Sequence, residues 1–265
     1  MKRSFTLIII SLVALCAAAQ DLYIGSFYVT STDEESQYGD GKDKWSVRKP
    51  IICEMFRYEK PDILGLQGAT SSQMSTIRTG LNTGMQGLLS YKLAGNILYN
   101  NTCELDTCNS VEGFPEGCSC SWAKLRKEEK DFYVFNICFT PDDAYTSANR
   151  LRTTITEINT ENLPCFIVGS LGTKEATQAY NRITARYNDA YAKAPIISAE
   201  YGTVNNFDLE NNHSSDRFDF VFTPKTGVTI KAYGQLQNGY YTSESDGYKR
   251  RLPSTHFPVM VKLKM

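Results

Sequence analysis

The run Pro61-Asp-Ile-Leu-Gly-Leu-Gln67 is a short apolar segment, opened by a proline and dense in residues that suit a buried strand. Upstream of it, Trp45, Ile51, Ile52, Met55 and Phe56 recur at helical spacing across residues 45–58, with Pro50 near the start, so a helix is expected there. Further back, Leu22-Tyr-Ile-Gly-Ser-Phe-Tyr-Val29 alternates, is rich in β-formers and reads as the first strand, and a polar loop follows it to Asp43. Downstream, residues 71–81 are expected to form a second helix. Later strands are expected over 96–99, 121–125, 132–139, 164–169, 218–222, 228–233 and 257–263, with helices over 148–159 and 176–187. Strands and helices mix throughout, with no linker and no internal repeat. This is the pattern of one α/β domain.

Composition agrees. The 265 residues are 42% hydrophobic, 12% aromatic and 22% charged, which excludes a disordered, collagenous or multispanning chain. A net charge of −1 offers no nucleic-acid signature, and two histidines, His213 and His256, are too few for a histidine-rich metal site. Lys2 and Arg3 precede an apolar run from Phe5 to Ala18 that closes on small residues, so residues 1–19 read as a signal peptide cleaved near Ala19. That run is too short to cross a bilayer, and no membrane span is expected once it is removed. Residues 20–265 are then the folded domain of a secreted or periplasmic protein, expected to act as a monomer on an extracytoplasmic ligand or protein.

Export favours disulfides over zinc for the cluster Cys103, Cys108, Cys118 and Cys120. The turn-forming residues 109–117 suggest two strands folding back, and a nested pairing, Cys103 with Cys120 and Cys108 with Cys118, fits such a hairpin. Cys53, Cys138 and Cys165 lie in apolar runs and are expected as buried free thiols.

The order of segments resembles the endonuclease/exonuclease/phosphatase superfamily, which includes deoxyribonuclease I. The resemblance rests on Ser26-Phe27, Trp45-Ser-Val-Arg48-Lys49, Pro61 to Gln67, Asn96-Ile-Leu-Tyr99, Trp122-Ala-Lys-Leu125, Phe135-Asn136, Pro164 to Gly169, Asn188-Asp-Ala-Tyr191, Arg217-Phe-Asp219-Phe-Val-Phe222 and Ser254-Thr-His256-Phe-Pro-Val259. No single segment is specific, but together they keep the family's order over nearly the whole domain. The resemblance implies a four-layered α/β sandwich of two mixed β-sheets flanked by helices. It also implies metal-assisted phosphoester hydrolysis: a carboxylate holding Mg²⁺ or Mn²⁺, an Asp/Asn pair orienting water, and histidines stabilising developing charge.

Most of the implied catalytic positions are substituted. Tyr28 stands for the first-strand asparagine and Gly68 for the metal-holding glutamate. Cys138 replaces a histidine, Thr140 an aspartate, and Ser170 and Gly172 the Asp and Asn of a Gly-Asp-Phe-Asn turn. Thr255 replaces the aspartate of Ser-Asp-His. Asp219 and His256, a hydrogen-bonded pair in the family, survive. They can be catalytic, or simply a strand-end cap and a histidine packed beside Phe257. A sharper reading joins Cys138, His256 and Asp219 into a thiol, base and orienting acid. Tyr248, Lys249, Arg250 and Arg251, just before the last motif, are candidate ligand-binding residues, since cations beside aromatics can hold phosphate or a sugar ring.

The expected function is therefore a secreted, catalytically degenerate binding or scaffold protein that needs no cofactor. The runner-up is an active phosphodiesterase or phosphatase that uses Mg²⁺ or Mn²⁺ on relocated ligands such as Asp40, Asp43 or Asp246.

Overall fold

The fold is that of a computed structural model describing residues 21–37, 41–84, 89–208, 214–245 and 247–265. The signal segment 1–19 and the residues Asp40, His213 and Asp246 lie outside the described residues.

The run from Pro61 to Gln67 forms strand β2 (Ile63–Gln67), which pairs in parallel with β1 (Asp21–Tyr28) from Ile24↔Ile63 to Tyr28↔Gln67. Parallel neighbours need a crossover, and α1 (Trp45–Glu59) supplies it. Every residue of β2 is buried, as expected of a strand covered on both faces. Leu64 and Leu66 pack with Ile52, Met55 and Phe56 of α1 and with Ile77 and Leu81 of α2 (Ser71–Gly84). Gly65 faces the second sheet, where a β-carbon would lie 2.5 Å from Val168 Cγ2. Only glycine lets the two sheets approach that closely.

Strands β3 (Tyr91–Ala94) and β4 (Ile97–Asn100) finish one edge of this first sheet. A second sheet begins with the hairpin β5 (Cys103–Ser110) and β6 (Ser119–Lys127), then β7 (Lys130–Cys138). Helix α3 (Ala144–Ile158) crosses to β8 (Cys165–Ser170), parallel to β7. Helix α4 (Gln178–Thr184), strand β9 (Tyr187–Asp189), the short α5 (Ala190–Lys193) and β10 (Ile197–Ser198) follow. Strands β11 (Asp219–Pro224), β12 (Thr229–Gln235), β13 (Tyr240–Glu244), β14 (Gly247–Arg251) and β15 (Val259–Lys264) complete the chain. The sheet orders are β10-β12-β15-β1-β2-β4-β3 and β5-β6-β7-β8-β11-β9, with β13-β14 as a separate hairpin.

Apolar residues of both sheets form the central core, while α1 and α2 cover the first sheet and α3 and α4 the second. This is the expected four-layered α/β sandwich.

The cysteine hairpin exists, but the nested disulfides do not form: each described cysteine is a free thiol. Leu105 opposite Leu125, with its side chain against the central core, sets a register that puts Cys103 across from Lys127 and Cys108 across from Ala123. Cys120 is then roughly 23 Å along the strand from the partner of Cys103. Cys118 instead accepts the Thr140 N–H at 3.2 Å.

Candidate active site

Strand ends converge at one rim. Tyr28 closes β1, Gly68 follows β2, Cys138 closes β7, Ser170 closes β8 and Asp219 opens β11. Register sets Cys138 opposite Ser170 and Ser170 opposite Asp219, so three implied catalytic positions form one row across the second sheet. His256 reaches this row from the loop before β15, where it bridges Val204. Neighbouring backbone fixes that loop, with Asn205 N–H on Thr255 O at 2.7 Å and Phe257 N–H on Thr203 O at 2.8 Å.

His256 Nδ1 consequently lies 2.7 Å from Asp219 Oδ2, and Asp219 is fully buried. The backbone N–H of Asp219 is itself held by Thr203 Oγ1 at 3.1 Å. A proton on Nδ1 leaves Nε2 as an acceptor, the arrangement of an oriented base. Asp219 Oδ1 is buried and has no hydrogen-bond partner among the described residues.

Tyr28 dominates the rest of the site. Its ring stacks on His256 with centroids 4.3 Å apart and planes 20° apart. The other neighbour is Gly68, whose φ is +60° and where a β-carbon would lie 2.6 Å from Tyr28 Cζ. Gly68 is thus the space the tyrosine occupies. The phenol donates to Glu34 Oε1 at 2.5 Å, and burial followed by this carboxylate raises its pKa. Glu34 is in turn tied back by the Ser31 N–H at 2.9 Å.

Other substituted positions are closed rather than open. A side chain at Gly172, whose φ is +68°, would be driven into the Phe139 carbonyl oxygen and the backbone of Thr140. Thr255 is buried, and its hydroxyl lies 2.6 Å from that of Thr30, which also contacts Ser254 Oγ at 2.9 Å. These hydroxyls satisfy one another instead of facing a ligand.

The resemblance implies a divalent ion, and the donors present do not fit one. A hard cation needs several oxygen ligands, yet the glutamate position is a glycine covered by Tyr28. Of the nearby carboxylates, Glu34 is engaged at both oxygens by Tyr28 and the Ser31 N–H and Asp219 at Oδ2 by His256, which leaves Asp219 Oδ1 as a single free oxygen and not a ligand set. Among the described residues no three His, Cys, Asp or Glu side chains group closely enough to hold a metal. Asp43, offered as a relocated ligand, is buried and takes Tyr240 Oη at 3.0 Å and Arg251 Nη1 at 2.9 Å.

Cys138 sits in the right row, but burial and then the Asp219 carboxylate push its thiol up to about 12 from 9.0. Cys103, Cys120 and Cys165 are likewise raised by burial to about 12. The folded state therefore holds these protons more tightly than the unfolded chain. Their stabilising effect is complete below the unfolded value near 9 and is lost as pH rises from there toward 12. Urea midpoints are expected to fall steeply between pH 9 and 11. At pH 8, native Cys138 is expected to alkylate with iodoacetamide more than roughly tenfold slower than in the unfolded chain. Equal rates would restore the thiol reading.

The four candidate ligand residues divide. Tyr248, Lys249 and Arg250 are exposed on β14, but Arg251 is buried, paired with Asp43 and with Glu244 Oε1 at 2.9 Å. Strand alternation puts Arg251 on the same face as Lys249, and its pairing with Asp43 and Glu244 makes it a strut of the hairpin. Sequence reasoning missed Glu34, Thr30 and Thr203, which lie in polar loops with no periodic signal.

No family model matches the sequence, and no curated protein matches it. Its fold does match solved structures. An endonuclease/exonuclease/phosphatase family protein from Bacteroides thetaiotaomicron superposes with a TM-score of 0.81 at 23% identity, covering 93% of this chain and 98% of that one. A mannosyl-6-phosphatase from the same organism gives 0.79 at 23% identity, with 91% and 99% covered. The human nocturnin catalytic domain with bound sulfate gives 0.67 at 13% identity, with 94% and 98% covered. Two mixed sheets, their helix layers and near-complete mutual coverage agree on one conclusion: the chain has the endonuclease/exonuclease/phosphatase fold.

Proposed function

We propose that this chain is a divergent member of the endonuclease/exonuclease/phosphatase superfamily whose hydrolytic site is retired, and that it works as an exported binding or scaffold protein. The observation that carries this reading is the Tyr28 ring packed on Gly68 where a metal-holding carboxylate would stand. Losing one base or donor costs about 10²–10⁴-fold. Here the metal carboxylate and the water-orienting Asp/Asn pair are replaced together, and Tyr28 fills the place of the carboxylate. Export rests on the sequence of residues 1–19; among the described residues no helix is long and apolar enough to cross a membrane.

The alternative, an active phosphoesterase, has one point in its favour: Glu34 brings a second carboxylate to the rim that Asp219 already occupies. Titration separates the two. The mature chain is mixed with Mg²⁺ and Mn²⁺ in a calorimeter, and the same sample is assayed on bis-p-nitrophenyl phosphate. Mannose 6-phosphate is a second substrate, chosen because one structural neighbour is a mannosyl-6-phosphatase. No metal heat and no turnover are expected. Metal binding with turnover that disappears in His256→Ala would establish the enzyme instead.

A further inference from the structure

The β13–β14 hairpin stands apart from both sheets, and its two faces differ sharply. Register pairs Tyr240 with Arg251 and Thr242 with Lys249 on one face, and Tyr241 with Arg250 and Ser243 with Tyr248 on the other. The first face is anchored to the body. Tyr240 and Arg251 both bind Asp43, Arg251 Nε donates to Thr242 Oγ1 at 2.6 Å, and Lys42 pairs with Glu244. These contacts neutralise Arg251 and hold the hairpin in place.

The second face is uncovered. Tyr241 is 67% exposed and Tyr248 79%, and neither ring packs on another aromatic among the described residues. They are diagonal neighbours across the two strands, a separation of about 7–8 Å. Arg250 lies beside both, directly opposite Tyr241 and two residues from Tyr248. Its guanidinium donates to Gln237 O at 2.5 Å and forms no ion pair among the described residues; Lys249 lies on the other face, with Arg251.

The geometry points to an acidic oligosaccharide as the occupant of this face. Two flat, separately presented tyrosines offer stacking surfaces for consecutive sugar rings, with hydroxyls at their edges to hydrogen-bond. The uncompensated cation Arg250 between them complements a carboxylate or sulfate on those rings. A long polyanion such as nucleic acid fits less well, because the chain as a whole carries −1 and this face carries a single cation, Arg250. The anchored inner face pre-orders the platform, so little conformational entropy is lost on binding.

The test is calorimetric titration of the mature chain with trigalacturonate, sialyllactose and a chondroitin sulfate tetrasaccharide. Lactose, maltotriose and a single-stranded oligonucleotide serve as comparisons. At least one acidic sugar is expected to bind, and the neutral sugars to bind at least roughly tenfold more weakly. Tyr241→Ala, Tyr248→Ala and Arg250→Gln are each expected to weaken that binding by roughly tenfold, and Arg250→Gln to flatten its salt dependence. All three side chains project into solvent, so melting temperatures are expected to stay close to that of the unaltered chain. Binding by no acidic sugar, binding that survives all three changes, or preference for the oligonucleotide would overturn the proposal. The proposal does not rest on the retired site, because metal titration and sugar titration can fail independently.

Discussion

Gly68→Glu, which restores the carboxylate that the resemblance implies, is expected to destabilise the chain by about 2–5 kcal/mol. Two costs add. A non-glycine residue at a φ of +60° pays backbone strain, typically about 1–2 kcal/mol. The β-carbon also meets the Tyr28 ring at 2.6 Å, and overpacking of this kind costs about 1–3 kcal/mol. Only the second cost depends on Tyr28. In a Tyr28→Asn background Gly68→Glu is therefore expected to cost about 1–2 kcal/mol, giving a coupling of about 2 kcal/mol across the cycle. Urea denaturation of the four proteins measures it. Additivity within about 0.5 kcal/mol would show that the tyrosine does not fill the glutamate's place, and would remove the main support for a retired site.

How far the sequence reveals this depends on the residue. Strand β2 and helix α1 were legible because apolar spacing is a direct imprint of burial, and they appear within two residues of where the pattern sets them. The Asp219–His256 pair was legible only through resemblance, since nothing local links two residues that far apart in the chain. Strands β3 and β9 carry no clear alternation, being short and at or near sheet edges. The disulfide expectation failed because spacing alone does not fix hairpin register; the leucines opposite each other do. Tyr28 and Gly68 were each recognised as a loss, but the sequence could not show that one substitution fills the other's space. Likewise, the four consecutive residues Tyr248 to Arg251 read as one basic cluster, but strand alternation puts Tyr248 and Arg250 on one face and Lys249 and Arg251 on the other.

Arg48 is the residue whose importance the sequence concealed most, since it stood only as one letter of a helix-opening motif. The structure buries it completely. Its Nε donates to Asp43 O at 2.6 Å, Nη1 to Val29 O and Pro253 O at 2.9 Å each, and Nη2 to Thr30 O at 3.1 Å and Glu35 Oε2 at 2.8 Å. A guanidinium has five N–H donors in a rigid fork, and here they find five acceptors. The Trp45 and Phe207 rings flank it at 5.5 and 5.4 Å. One side chain thus joins the end of β1, the loop before α1 and the segment leading to His256. Arg48→Ala leaves four carbonyls and a carboxylate without this partner and opens a cavity, and removing one member of a buried charged pair alone costs about 3–5 kcal/mol. A loss of about 4 kcal/mol or more is expected. Lysine keeps the charge but not the fork, so Arg48→Lys is expected to lose about 2–3 kcal/mol. The same variant is expected to loosen residues 253–256, read as faster amide exchange there than in the central strands. If Arg48→Lys stays within about 0.5 kcal/mol of the unaltered chain, the charge alone suffices and the fork is not what holds the rim. If it loses stability while exchange at 253–256 stays unchanged, Arg48 supports the fold without positioning His256.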